Sequence, residues 1–310
     1  MLKLVLFCLL AAGGPEAAEG RDTLRLMFWN VENFFAPGDF SGRSWSKGRF
    51  YTKCNAVAKT LLLSADTFGG LPDIVGFAEV GDASVLKALL YSTPLRKLDY
   101  SFVHYDSPDR RGIDCALLFR RGSLRLVDSE ACHLYDSSGR VLPTRDILLS
   151  VFEMRCGPFA GEDSLPEKMA VLVNHHPSKV GAESEGRRRI AMQRMLSIAD
   201  SLRREGIRKI IAVGDFNDSV VPAVGLNSRL LKRKPWEPPG TIKFQGRWER
   251  IDGCPLLEGL RAEEHIFAPQ QLLQRDSYGG EKPRRTFSGP RYLGGVSDHL
   301  PVFYLLVAEN

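Results

Sequence analysis

The chain has 310 residues, of which 44% are hydrophobic and 25% charged, with a formal net charge of +5. Those proportions belong to a globular protein and exclude a disordered tail, a collagen and a multi-span membrane protein. The length suits one large domain or two small ones. A mild positive excess is compatible with an anionic substrate and far from a histone-like field.

The first 20 residues read as a secretory signal peptide. Met1-Leu2-Lys3 is a short basic start, Leu4 to Ala12 is apolar, and small residues follow up to Gly20. The apolar run is too short to span a bilayer, which takes about 20 such residues. Removing residues 1–20 deletes Lys3, Glu16 and Glu19 and leaves a charge of +6 on residues 21–310. An exported protein, secreted or periplasmic, is expected. Cys54, Cys115, Cys132, Cys156 and Cys254 remain; none stands at C-x-x-C spacing, which argues against a zinc site. The odd number leaves at least one free thiol.

Short apolar runs recur along the rest: Leu24–Trp29, Ile74–Ala78, Cys115–Phe119, Ile147–Phe152, Met169–Asn174, Ile210–Val213 and Leu300–Val307. They are rich in Val, Ile, Leu and Phe and bounded by turn residues, which predicts strands buried on at least one face. Lys53–Leu63, Ser84–Leu90 and Glu185–Arg204 carry helical spacing. In the last, Ile190, Met195, Ile198, Ala199 and Leu202 form one stripe. The class is α/β or α+β, with two sheets and helices covering the outside, and a single domain over 21–310 is expected. Residues 220–247 and Asp276–Gly295 read as long loops, and such loops are more often functional than idle. In and just after the first, Lys232, Arg233, Lys234, Trp236, Lys243 and Trp248 suit either nucleobases and phosphates or a solvated basic loop with its Trp residues packed on the core.

The chemistry-bearing residues stand at strand ends. Leu24–Trp29 runs into Asn30-Val31-Glu32-Asn33, and Ile74–Ala78 runs into Glu79. Met169–Val173 leads to Asn174-His175-His176, and Ile210–Val213 leads to Gly214-Asp215-Phe216-Asn217. Arg250-Ile251-Asp252 and Ser297-Asp298-His299 flank two further segments. Each cluster alone is an ordinary turn or rim; their order as a set is specific. With Arg111-Gly112-Ile113-Asp114, and with Tyr292–Pro301 reading Y-x-G-G-x-S-D-H-L-P, the set resembles the endonuclease/exonuclease/phosphatase superfamily, in particular its secreted-type bacterial members.

That resemblance implies a DNase I-like fold, a four-layer α/β/β/α sandwich of two packed mixed sheets. It implies a Mg²⁺-dependent phosphoester hydrolase, with Mn²⁺ as a substitute, since hard cations take oxygen ligands. Glu79 corresponds to the family's metal ligand, with Glu32 and Asp298 close enough to join it. Asp215 would orient or deprotonate the attacking water, and Asn217 would hold the scissile phosphate. His299 would bind or protonate the phosphoryl oxygens, and Asp252 would fix its tautomer. Asn30 and Asn174 would contact substrate. His175 matches a second family histidine; adjacent strand residues point to opposite faces, so one of His175 and His176 faces the site. Arg111 reads as a phosphate contact or as part of a solvated turn. Gly253-Cys254 follows Asp252 where relatives often carry Tyr or His.

The expected substrate is a phosphodiester of nucleic acid, cleaved by a monomer. Phospholipid, inositol-phosphate and nucleotide esters are the alternatives, and a non-catalytic binding module is a remote one. His104, His133 and His265 lack partners at ligand spacing and read as structural or surface residues.

Overall fold

The computed structural model describes residues 23–38, 45–155, 167–179, 181, 183–220 and 237–309. Residues 1–20, read from the sequence as a signal peptide, Cys156 and the Lys232–Trp236 stretch lie outside the described residues.

The element order is β1 (Leu24–Phe34), α1 (Lys47–Phe68), β2 (Ile74–Val80), α2 (Ala83–Tyr91), β3 (Tyr100–His104), β4 (Asp114–Arg120), β5 (Leu124–Cys132), β6 (Ile147–Met154), β7 (Lys168–His175), α3 (Ser184–Arg204) and β8 (Lys209–Asp215). A short hairpin of β9 (Ile242–Phe244) and β10 (Arg247–Glu249) precedes β11 (Asp252–Glu258) and β12 (Leu260–Ile266). Two more small hairpins follow, β13 (Leu273–Arg275) with β14 (Glu281–Pro283) and β15 (Phe287–Ser288) with β16 (Arg291–Tyr292). The last strand is β17 (Val302–Ala308).

Eleven strands form two sheets, in the orders β12-β17-β1-β2-β4-β3 and β11-β8-β7-β6-β5. Each sheet holds one parallel pair, β1 with β2 and β7 with β8; the other pairs are antiparallel. A parallel pair needs a crossover, and α1 and α3 supply the two. Both crossovers therefore put the carboxyl ends of two neighbouring strands at one sheet edge.

Side chains alternate between three cores. Leu26 and Phe28 of β1 and Met169, Val171 and Val173 of β7 fill the space between the sheets, with Ile211 and Val213 of β8. Met27 and Trp29 face α1 and α2. Ala170, Leu172, Ile210 and Ala212 face α3, which buries Ala191, Met195, Ile198, Ala199 and Leu202. These three apolar layers separate four layers of secondary structure, the α/β/β/α sandwich expected from the sequence. Central strands buried on both faces explain why the sequence shows continuous apolar runs there.

All three predicted helices form, with α1 longer than its apolar spacing suggested. Its limits are set by caps: Ser46 Oγ accepts from Arg49 N, and Gly69 closes the helix at φ 70°. Phe34 and Phe35 are core residues, and the described cysteines Cys54, Cys115, Cys132 and Cys254 are buried free thiols. Trp248 packs on the core. Strands β3, β5, β11 and β12 were not marked by apolar runs; β5 and β12 lie at sheet edges and carry exposed polar residues.

Gly214, inside the parallel pair, has no room for a side chain: a Cβ there would stand 2.5 Å from the Asn174 carbonyl oxygen. Gly214→Ala should cost about 1–3 kcal/mol of stability through overpacking. Thermal unfolding measures this, and an unchanged transition would contradict the close approach.

Candidate active site

The inward parity that places Leu26 and Phe28 between the sheets continues to Asn30; likewise Val173 continues to His175 and Val213 to Asp215. The register sets Asn30 beside Ala78, and His175 beside Asp215. Asp252, which opens β11, pairs with Asp215 across the antiparallel ladder. His299 arrives just before β17, the other neighbour of β1. One edge of the sandwich thus gathers groups from both sheets.

The Asp215 carboxylate is buried and held at both oxygens. Oδ2 accepts from Asn30 Nδ2 at 2.9 Å, across the gap between the sheets, and Oδ1 accepts from Asn217 N at 2.9 Å. Burial, and then the charge of Asp252, push its pKa up to about 7, against the pull of His299 and Asn30. His299 Nδ1 meets Asp252 Oδ2 at 2.8 Å, while its Nε2 lies 3.8 Å from Asp215 Oδ2. Burial alone would lower the His299 pKa; the Asp252 charge and hydrogen bond outweigh it and hold the imidazole well above its usual value. Thr241 Oγ1 donates to the same Asp252 oxygen. One potential ligand atom from each of Asp215, Asp252 and His299 falls within 4.8 Å of the others, a buried group consistent with a metal site.

Trp29, Asn30, Ser297 and His299 also have structural work. Trp29 Nε1 donates to the His299 carbonyl at 2.9 Å, and Ser297 Oγ donates to the Asn30 carbonyl at 2.6 Å while accepting from His299 N. The end of β1 and the Ser297–His299 turn therefore lock each other. Gly295 allows this: a Cβ would overlap the Arg284 carbonyl.

His175 Nε2 lies 3.7 Å from Asp215 Oδ2 and 3.9 Å from Glu79 Oε1. Burial, then Arg145 and Arg111, keep it neutral by lowering its pKa well below the usual value. His176 turns away, packs edge-on against Phe216, and is pushed down to about 3 by burial and Arg145. Of the adjacent pair, His175 is the one at the site. Glu79 Oε2 accepts from Asn33 N at 2.8 Å.

Glu32 and Asp298 form a separate acidic pair bridged by Arg285, at 3.4 and 2.8 Å. Glu32 Oε2 also accepts from Thr286 N, and the fully buried Lys53 ammonium bonds the Glu32 carbonyl and Thr286 Oγ1. Burial and the Asp298 charge raise Glu32 to about 7; burial lowers Lys53 to about 8. Among the described residues, only Glu32, Asn33, Glu79, Asn217 and Gln245 are non-glycine residues with positive φ. Four are at or beside these groups, and such strain concentrates at functional sites.

Two predicted contacts stand apart. Asn174 has outward parity, and its Nδ2 is spent on the Leu172 and Val213 carbonyls, so its side chain serves the sheet rather than the site. Arg111 is mostly exposed beside Asp109, on a cavity of about 520 Å³ that it shares with Arg145. Arg145 itself was missed by sequence reading. It is buried, pairs with Asp109, and donates to the His176 carbonyl. Lys53, Arg285 and Thr286 were missed as well, because they meet partners more than 200 residues away in sequence, and Thr241 was missed because no motif marks it. His104, His133 and His265 each face a carboxylate, at Asp114, Asp146 and Glu237.

A two-sheet sandwich with a buried Asp–Asp–His group at one edge defines a class, the DNase I-like proteins. The sequence matches the endonuclease/exonuclease/phosphatase family model over residues 27–232 and 239–308, and the chain belongs to that family. No curated protein matches the sequence. Among solved structures, the catalytic domain of human Nocturnin is similar at TM-score 0.55 and 17% identity, covering 93% of this chain and 96% of that one. A mannosyl-6-phosphatase from Bacteroides thetaiotaomicron is similar at TM-score 0.57 and 17% identity, covering 92% and 99%. TDP2 from Caenorhabditis elegans is similar at TM-score 0.55 and 16% identity, covering 92% and 74%. Family members are metal-dependent phosphoester hydrolases, and these likenesses establish the shared fold. No helix among the described residues is long and apolar enough to cross a membrane.

The raised Asp215 pKa has a stability consequence. The folded protein keeps that proton up to about pH 7, whereas the unfolded chain gives it up near 4. Stability associated with Asp215 therefore falls as pH rises through that window. Without divalent cations, Asp215→Asn should melt a few degrees above wild type at pH 8 (each kcal/mol is worth about 2–4 °C at this chain size) and show no such gain at pH 4. Equal melting temperatures at pH 8 would contradict the buried-carboxylate reading.

Proposed function

We propose that the protein is an exported, Mg²⁺-dependent phosphodiesterase acting on nucleic acid, with Mn²⁺ as a substitute. The observation that carries this reading is the Asp215 carboxyl, gripped at both oxygens and poised near neutrality, beside an imidazolium anchored by Asp252. A base with a pKa close to the working pH is the efficient choice for taking a proton from water. The Leu4–Ala12 run supports export, and the motif set together with the charge of +6 on residues 21–310 supports an anionic, nucleic-acid substrate. The protein would act as a monomer.

Asp215 takes a proton from the attacking water as the water oxygen bonds to phosphorus. The ester P–O bond breaks, and the leaving alkoxide takes a proton from solvent. His299, charged and fixed through Nδ1 by Asp252, presents Nε2–H to a phosphoryl oxygen. Its charge meets the negative charge that grows on those oxygens. Neutral His175, between Asp215 and Glu79, offers a further hydrogen bond. Asn30 keeps Asp215 aimed, and Asn217, whose Nδ2 already donates to the His176 carbonyl at 3.0 Å, has one N–H left for the scissile phosphate.

The donors on hand are the carboxylates of Glu79, Glu32 and Asp298, whose charges all reach Lys53 and Arg285, and they fit a hard divalent cation rather than a thiolate-seeking one. Glu79 would hold it, with Glu32 and Asp298 within the same acidic region. When bound, the cation neutralises phosphoryl oxygens and lowers the pKa of coordinated water.

His299→Ala and Asp215→Ala should each lower kcat by about 10²–10⁴-fold, measured on DNA, RNA and simple phosphodiesters with Mg²⁺. EDTA should abolish turnover and added Mg²⁺ or Mn²⁺ should restore it. Chelator-insensitive cleavage would contradict the metal role. Cleavage confined to sphingomyelin, inositol phosphates or hexose 6-phosphate would move the substrate class.

A further inference from the structure

We propose that the groove beside His299 binds an aromatic ring carried by the substrate, stacked against Phe244 and Tyr278. This deepens the phosphoesterase reading and rests on it for the position of the phosphate.

A cavity of about 360 Å³ runs from His299 and Arg285 out to Phe244 and Tyr278. Phe244 is 63% exposed and Tyr278 69%. A single exposed aromatic residue is ordinary. Two on the walls of one groove that ends at the candidate catalytic histidine are a built surface.

The platform is held stiffly. Phe244 and Arg247 pair across a two-residue turn of Gln245 and Gly246, with φ of 47° and 79°. Positive φ at both positions is the geometry of a type I′ hairpin. Gln245 adopts it without being glycine. Tyr278 sits at the tip of the β13–β14 hairpin and presses on that turn; a Cβ on Gly246 would come within 2.8 Å of the Tyr278 Cβ. Lys243, nearly buried, ties the two hairpins together. Its ammonium donates to the Gly279 carbonyl at 2.7 Å and the Glu281 carbonyl at 3.2 Å, and pairs with Asp276 at 3.2 Å. A fixed surface loses little freedom on binding, so stacking is realised as affinity.

The chemistry of the walls selects a flat ring. Stacking on aromatic faces suits any planar π-system, and the amides of Gln245 and Gln274 line the same groove and can meet polar ring edges. Because the groove opens at His299, the ring belongs to a substituent close to the reacting phosphate. A nucleobase and a phenolic ester ring share this chemistry.

Titration calorimetry with EDTA present, which halts turnover, separates the ring from the phosphate. Adenosine 5′-monophosphate and ribose 5-phosphate differ only by the base; phenyl phosphate and methyl phosphate differ by a phenyl ring. We expect the ring-bearing member of one pair to bind about tenfold or more tighter, and the pair that shows it names the source. The Phe244→Ala/Tyr278→Ala double variant should erase the ratio, and Phe244→Trp should keep it. Both side chains are exposed, so folding is checked by an unchanged melting temperature. Equal binding within both pairs, or a preference that survives in the double variant, would overturn the proposal. If the ratio appears but no phosphoester is hydrolysed with Mg²⁺, the groove stands and the enzymatic reading falls.

Discussion

The hydrogen bond from Asn30 to Asp215 joins the two halves of the sandwich at the place where the chemistry gathers. Asn30 ends the run of β1 in one sheet, and Asp215 ends β8 in the other. Neither sheet holds the site alone. Two crossover helices each create a parallel pair, so that β1, β2, β7 and β8 finish at the same edge. The antiparallel neighbours then deliver their starting ends there, which places Asp252 and His299. The locks between Trp29 and His299 and between Ser297 and Asn30 keep the edge closed.

Holding these groups together is costly for the fold. Asp215 and Asp252 are both buried and share one imidazole. Glu32 and Asp298 share Arg285, with buried Lys53 nearby. Burial, and then the neighbouring carboxylate, raise the pKa of Asp215 and of Glu32. Backbone strain at Glu32, Asn33, Glu79 and Asn217 adds to the cost. The large apolar layers on either side over-determine the edge and keep it in place. A surface built this way trades stability for reactivity.

Much of this was legible in the sequence because site residues terminate apolar runs. A strand buried on both faces is visible as a run of Val, Ile and Leu, and the first polar residue after it marks the sheet edge. Asn30, Glu79 and Asp215 were found that way. The roles assigned to them came from the family resemblance. Period-two alternation let one of His175 and His176 face the site, and the family resemblance picked His175; the same alternation, applied to Asn174, would have turned that residue outward. Polar edge strands such as β5 and β12 gave no run to read. Arg285, Thr286 and Lys53 were invisible for a different reason: Lys53 meets Thr286 across 233 residues, and only the folded chain brings them together. Lys53 also sits in a helix whose apolar spacing hides a buried charge.

The most direct measurement is the ionisation of Asp215 itself in the cation-free protein. A carbon-13 carboxyl titration, assigned by comparison with Asp215→Asn, should place its midpoint near pH 7. A midpoint near 4, the ordinary carboxylate value, would mean that water reaches the edge freely and that burial and the Asp252 charge do not act on Asp215 as a closed edge requires.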